Sequence, residues 1–143
     1  RLLRWNLMYT REQLQGILLT VARPEVTIYR SDRSKSGYTI RIRIMFRASE
    51  DFLNALSRTF EQYQIDSIYR MSEGVNRDKP VLIVGKKASI KNLRGLIPDL
   101  PCSHSNWDKL DVALEHMEAD LHLEEEGMLN LIEAIDNVDE GKK

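Results

Sequence analysis

Apolar residues along this chain recur with a period near 3.6 in some stretches and 2 in others, and each change of period marks a new element. Thr10-Arg-Glu-Gln13 forms a capping box. It opens a helix that runs to about Ala22, and Pro24 stops it because the residue before a proline avoids helical angles. The next stretch, "EVTIYRSDRSKSGYTIRIRIMFR", alternates twice around a polar turn containing Gly37 and predicts a β-hairpin. Ser49 caps a second helix whose apolar stripe is Phe52, Leu53, Leu56 and Phe60. "IDSIYRM" and "PVLIVGK" predict a second hairpin around "SEGVNRDK", followed by a short helix over about Ser89 to Ile97. After the proline-bearing loop "PDLPCSHSNWD" come two more helices, roughly Trp107 to Asp120 and Glu124 to Val138. The order is α-β-β-α-β-β-α with helical additions, it occurs once, and it predicts a single α+β domain over residues 1–143.

Alternation sorts the first hairpin into two faces. Ile40, Ile42, Ile44 and Phe46 should point into the core with Val26 and Ile28, leaving Thr27, Tyr29, Thr39, Arg41, Arg43 and Met45 on the other side. Residues 23–47 hold seven basic side chains (Arg23, Arg30, Arg33, Lys35, Arg41, Arg43, Arg47) against Glu25 and Asp32. A two-stranded ribbon of this kind fits the major groove of double-stranded DNA, where arginine donates bidentately to guanine. Arg41 and Arg43 are therefore the expected base readers, and Arg30, Arg33 and Lys35 at the tip the expected phosphate contacts. Tyr69, Arg70, Arg77 and Lys79 of the second hairpin extend the footprint.

Composition sharpens this picture. The net charge of −1 divides into −9 over residues 104–143 and +8 over the rest, a basic body with an acidic end, as suits a polyanion binder. The longest apolar run, Ile17 to Ala22, is too short to cross a bilayer. No secretory leader is visible, and the lone Cys102 cannot form an internal disulfide, so an intracellular, cytoplasmic setting is expected. His104, His116 and His122 lack the close spacing of a zinc site, and nothing pairs a serine or cysteine with a histidine in the manner of a covalent catalyst.

The first helix has its own pattern. Gly16 and Thr20 lie one turn apart and put two small residues on one face. Leu14, Ile17, Leu18 and Val21 would flank a seam there, and apolar residues wrap so much of the helix that it calls for partners on both sides. The reading is a dimer interface.

The order and spacing of "LQGILLTVA", "YTIRIRIMFRASEDFLNAL", "IDSIYRMSEGVNRDKPVLIVGKK", "PDLPCSHSNWDKLDVALEHM" and "HLEEEGMLNLIEAIDNVDEGKK" resemble the LAGLIDADG homing-endonuclease family over nearly the whole chain. The resemblance implies a four-stranded antiparallel saddle sheet with helices on one face, and a homodimer in which two copies of the naming helix lie side by side over DNA. It also implies an acidic residue at the end of that helix, holding a divalent ion such as Mg²⁺ for phosphodiester hydrolysis. Reading the motif onto residues 14–22 puts Val21 at the acid, whereas aligning back from "VTI" puts Arg23 there. Neither ligates a metal. Glu25 is the nearest acid, but two residues of extended chain span about 6–7 Å, against metal–oxygen bonds of about 2.0–2.6 Å. Lys86 or Lys87 matches the basic residue kept near the scissile phosphate, and Arg47 the polar residue that orders the water pocket; with no ion both become phosphate contacts.

The expected function is a homodimeric, sequence-specific double-stranded DNA binder without cofactor or cleavage, a domesticated regulator, with no membrane association. The alternatives are an active magnesium-dependent endonuclease using Glu25 with Lys86, an RNA-binding splicing maturase, and a protein-interaction domain recruited through the acidic end.

Overall fold

The computed structural model describes residues 8–75, 78–98, 105–123 and 125–141. The elements follow in the expected order: α1 (Arg11–Thr20), β1 (Arg23–Arg30), β2 (Tyr38–Arg47), α2 (Glu50–Gln62), β3 (Ile68–Arg70), β4 (Val81–Val84), α3 (Lys87–Arg94), α4 (Ser105–Glu118) and α5 (Glu125–Gly141). The strands form one antiparallel sheet in the order β1-β2-β4-β3. No helix among the described residues is long and apolar enough to cross a membrane. Two compact units divide the chain, Arg1–Arg23 with Arg43–Asp99, and Pro24–Ile42 with Leu100–Lys143.

In the first unit the capping box forms as the sequence predicts. The Gln13 amide N–H donates to Thr10 Oγ1 at 3.2 Å, and the Thr10 N–H donates to Gln13 Oε1 at 3.0 Å. α1 stops at Thr20, two residues short of the expected end; the N–H groups of Val21 and Ala22 both turn back to the Ile17 carbonyl. The Ser49 hydroxyl caps α2 by accepting from the Phe52 N–H, and Leu53, Leu56 and Phe60 are fully buried. Phe52 is only half-buried, against the ring of Tyr9 at 5.3 Å. Thr59, buried between them, accepts from the Tyr9 N–H at 2.9 Å and donates to the Ala55 carbonyl at 2.8 Å.

α3 runs over Lys87–Arg94 rather than the expected Ser89 to Ile97. The Ser89 hydroxyl is buried and accepts the Asp66 N–H at 2.9 Å, tying α3 to the segment before β3. Gly95 ends the helix, and the amides of Leu96 and Ile97 close tighter turns beyond it.

In the second unit the hairpin turn lies where expected. The Ser31 N–H donates to the Gly37 carbonyl, and Gly37 takes φ +81°, a conformation that strains any residue with a Cβ. α4 and α5 pack on one another around Trp107, Leu110, Ala113, Met128 and Leu131, with Asp120 (φ +56°) and a 3-10 turn over Leu121–Leu123 breaking the helix between them.

Replacing Thr10 with alanine removes half the capping box and should cost about 1 kcal/mol of stability. Thr10→Ser should be near neutral, with both values read from the midpoint of urea unfolding.

Candidate nucleic-acid interface

The hairpin of the second unit presents its polar side chains outward. Tyr29 is 48% exposed, and Arg30, Arg33, Lys35 and Arg41 are exposed, whereas Thr27 and Thr39 are half-buried. Ser36 braces the turn, its buried hydroxyl accepting the Tyr38 N–H and donating to the Tyr38 carbonyl. The inward face is less closed than alternation alone suggested. Ile42 is buried, but Val26, Ile28 and Ile40 are only half-buried. Glu25 lies within β1, and its carboxylate accepts the Thr27 hydroxyl at 3.1 Å.

In the first unit a ring contact fixes which sheet face is which. Phe46 meets Phe60 of α2 with centroids 5.3 Å apart, so the Phe46 side is the covered side. Residues directly opposite in adjacent strands share a face. Phe46 pairs with Leu82 and Leu82 with Tyr69, so all three point to α2. The other face holds two cross-strand rows, Met45–Ile83–Ile68 and Arg47–Val81–Arg70, with Arg43 next along β2.

Two expectations change here. Tyr69 and Arg70 cannot both line the outer face, because neighbours in a strand point opposite ways. Arg70 does, while Tyr69 turns to the α2 side, where partial burial and then the Glu50 carboxylate raise its phenol above the usual tyrosine range. Met45 is on the outer face but only 4% exposed. Arg47 folds over it, donating from Nη2 to its sulfur at 3.7 Å.

The Arg47 guanidinium is itself clamped. Nε and Nη2 donate to the two oxygens of Glu73 at 2.5 and 3.0 Å, a bidentate pair that sequence inspection missed, as the partners are 26 residues apart. Lys79 is exposed. Lys86 precedes α3 and pairs with Asp66 at 3.1 Å, both side chains largely in solvent; Lys87 opens that helix, half-buried. Arg77, Cys102 and His104 lie outside the described residues. His116 Nδ1 sits 3.0 Å from the Val112 carbonyl, and the buried His122 Nδ1 has no hydrogen-bond partner.

On α1, Leu14 and Leu18 are fully buried and Ile17 is 9% exposed within a single chain, so they do not flank an open seam as expected. Gly16 and Thr20 are exposed, Val21 is half-buried, and a Cβ built on Gly16 meets nothing within 4 Å. The Thr20 hydroxyl donates to the Gly16 carbonyl at 2.6 Å. Beyond the helix, Arg23 Nη1 donates to the carbonyls of Thr20 and Ala22 at 3.3 and 3.4 Å. A cation at the negative end of a helix is favourable, which gives Arg23 a local reason to be there.

No protein-family model matches the sequence, and no curated protein does. Solved structures match it closely in shape. The homing endonuclease I-TnaI is 17% identical with a TM-score of 0.74, over 96% of this chain and 100% of that one. The LAGLIDADG homing endonuclease I-LtrWI, solved bound to target DNA, is 18% identical with a TM-score of 0.74, over 90% of this chain. I-SmaMI, bound to an uncleaved DNA target in the presence of calcium ions, is 10% identical with a TM-score of 0.74, over 92% of this chain. This chain has the LAGLIDADG homing-endonuclease fold. It spans all of the I-TnaI chain but only 43% and 45% of the I-LtrWI and I-SmaMI chains.

In the LAGLIDADG fold α1 takes the place of the naming helix, and neither Val21 nor Arg23, the two residues that the resemblance aligns with the acid, offers a side-chain oxygen to a divalent ion. Val21 is apolar, the Thr20 hydroxyl donates to the Gly16 carbonyl, and the Arg23 guanidinium, a cation, lies against the carbonyls of Thr20 and Ala22. Hard cations take oxygen donors, preferably carboxylates. Among the described residues no group of three His, Cys, Asp or Glu side chains is placed to hold a metal.

Glu73→Gln should break the clamp on Arg47 and cost about 1 kcal/mol, since the pair is partly screened by solvent. Thermal unfolding at low and high salt checks this, and the loss should shrink as salt rises.

Proposed function

We propose that this protein binds duplex DNA sequence-specifically as a homodimer, without cutting it, and serves as a regulator or a locator on DNA. The observation that carries this reading is the set of exposed cations within each unit, together with a cation at the end of α1. Arg41 and Arg70 are exposed on strands, and Arg30, Arg33 and Lys35 are exposed at the hairpin tip, all suited to groove edges and phosphates. Arg23, one of the two residues that the resemblance aligns with the metal-binding acid, donates to the carbonyls at the end of α1. The DNA-bound state of I-LtrWI supports duplex DNA as the ligand for such a surface. The fold contributes a scaffold that positions strands along a groove; the missing oxygen donors withhold hydrolysis.

The dimer reading rests on the exposed turn from Gly16 to Thr20. The absence of side-chain bulk at Gly16 lets a second backbone approach closely, while the larger apolar residues of α1 are committed to the core of their own chain. Adding a side chain there discriminates between roles. Gly16→Leu should raise helix propensity by close to 1 kcal/mol in a monomer. In a dimer packed through this face it should drive dissociation instead, seen as halved mass in sedimentation equilibrium.

Selection from random duplexes gives the probe for binding. Arg41→Ala should weaken the recovered sequence by about 1–3 kcal/mol and relax preference at one position. Lys35→Ala should weaken all sequences alike and flatten the dependence on salt. Tyr69→Phe should change neither. Failure to enrich any duplex, or preferential competition by structured RNA, would overturn the DNA assignment.

A further inference from the structure

We infer that Ile68, at the open end of the row Met45–Ile83–Ile68, reads a thymine methyl group, so that this part of the sheet recognises sequence by apolar contact rather than by hydrogen bonds. The inference rests on the duplex-DNA reading above and adds the base class that β3 selects.

Register and burial carry it. Met45 lies opposite Ile83, and Ile83 opposite Ile68, so the three side chains form one line across β2, β4 and β3 on the face turned away from α2. They rise from floor to surface. Met45 is buried, Ile83 half-buried, and Ile68 is 59% exposed at the edge of the sheet. Ile68 makes no contribution to the core that α2 covers; its neighbour Tyr69 points that way. A large β-branched side chain held in water on a rigid strand is ready to bury apolar area against a partner at little ordering cost.

The charges around the row choose that partner. One step along the same face lies Arg47–Val81–Arg70, and Arg43 follows on β2. An apolar side chain beside the exposed Arg70 is poorly suited to an apolar protein surface, which would desolvate that cation without compensation. It suits a polyanion that carries apolar groups between its charges. In the major groove the C5 methyl of thymine is that group, and apolar side chains meet it directly. Arg70, exposed two residues after Ile68 and on the same face, can hold the adjacent backbone or base edge.

The test uses the full chain and duplexes recovered from a random library. Each thymine is replaced singly by deoxyuridine, which removes one methyl and leaves every hydrogen-bonding group in place. At one or more positions binding should weaken about fourfold, the value expected for one lost apolar carbon. Ile68→Ala should still bind but no longer distinguish thymine from uracil there, whereas Ile68→Val should keep most of the distinction. Arg70→Ala should weaken both duplexes equally. Uniform affinity across all substitutions, or an unchanged thymine-to-uracil ratio in Ile68→Ala, would overturn the inference while leaving DNA binding intact. Recovery of no duplex would overturn the DNA reading and the inference with it.

Discussion

Phe46 against Phe60 is the contact from which the orientation of the first unit follows. An aromatic pair buried between a strand and a helix decides which side of β2 is closed, and antiparallel register carries that decision to β4 and β3. A slip of one residue would turn Arg47 and Arg70 toward α2 and expose Phe46 and Leu82. The cost of burying those arginines without partners excludes the slipped register. Hydrophobic burial on the α2 side thus dictates which side chains line the other face.

The same separation of tasks holds on α1. Leu14 and Leu18 anchor the helix inside its own chain, leaving Gly16 and Thr20 as a smooth outer turn. At the helix end Arg23 answers the unsatisfied carbonyls that every helix leaves there. A cation held against those carbonyls favours the folded chain.

Much of this was legible in the sequence because the signals are local. Thr10 with Gln13, Ser49, and Gly37 in a polar turn announce two helix starts and a hairpin, and all three are where the pattern put them. α3 starts two residues before the predicted Ser89, whose hydroxyl serves the Asp66 amide, a partner 23 residues away. Tyr69 and Arg70 were grouped by their chemistry when strand parity required opposite faces, and parity also points to Ile68, which polar residues nearby obscured. The Arg47–Glu73 clamp had no local signature. On α1, periodicity identified the apolar residues but could not divide them between the chain's own core and a second copy.

The most direct measurement is a crystal of the protein bound to its selected duplex and soaked in manganese, with anomalous scattering recorded at the ends of the naming helices. The expected result is an intact phosphodiester backbone and no anomalous peak beside Arg23. A strong peak there, with oxygen ligands and a broken strand, would contradict the central claim that this fold holds DNA without the means to cut it.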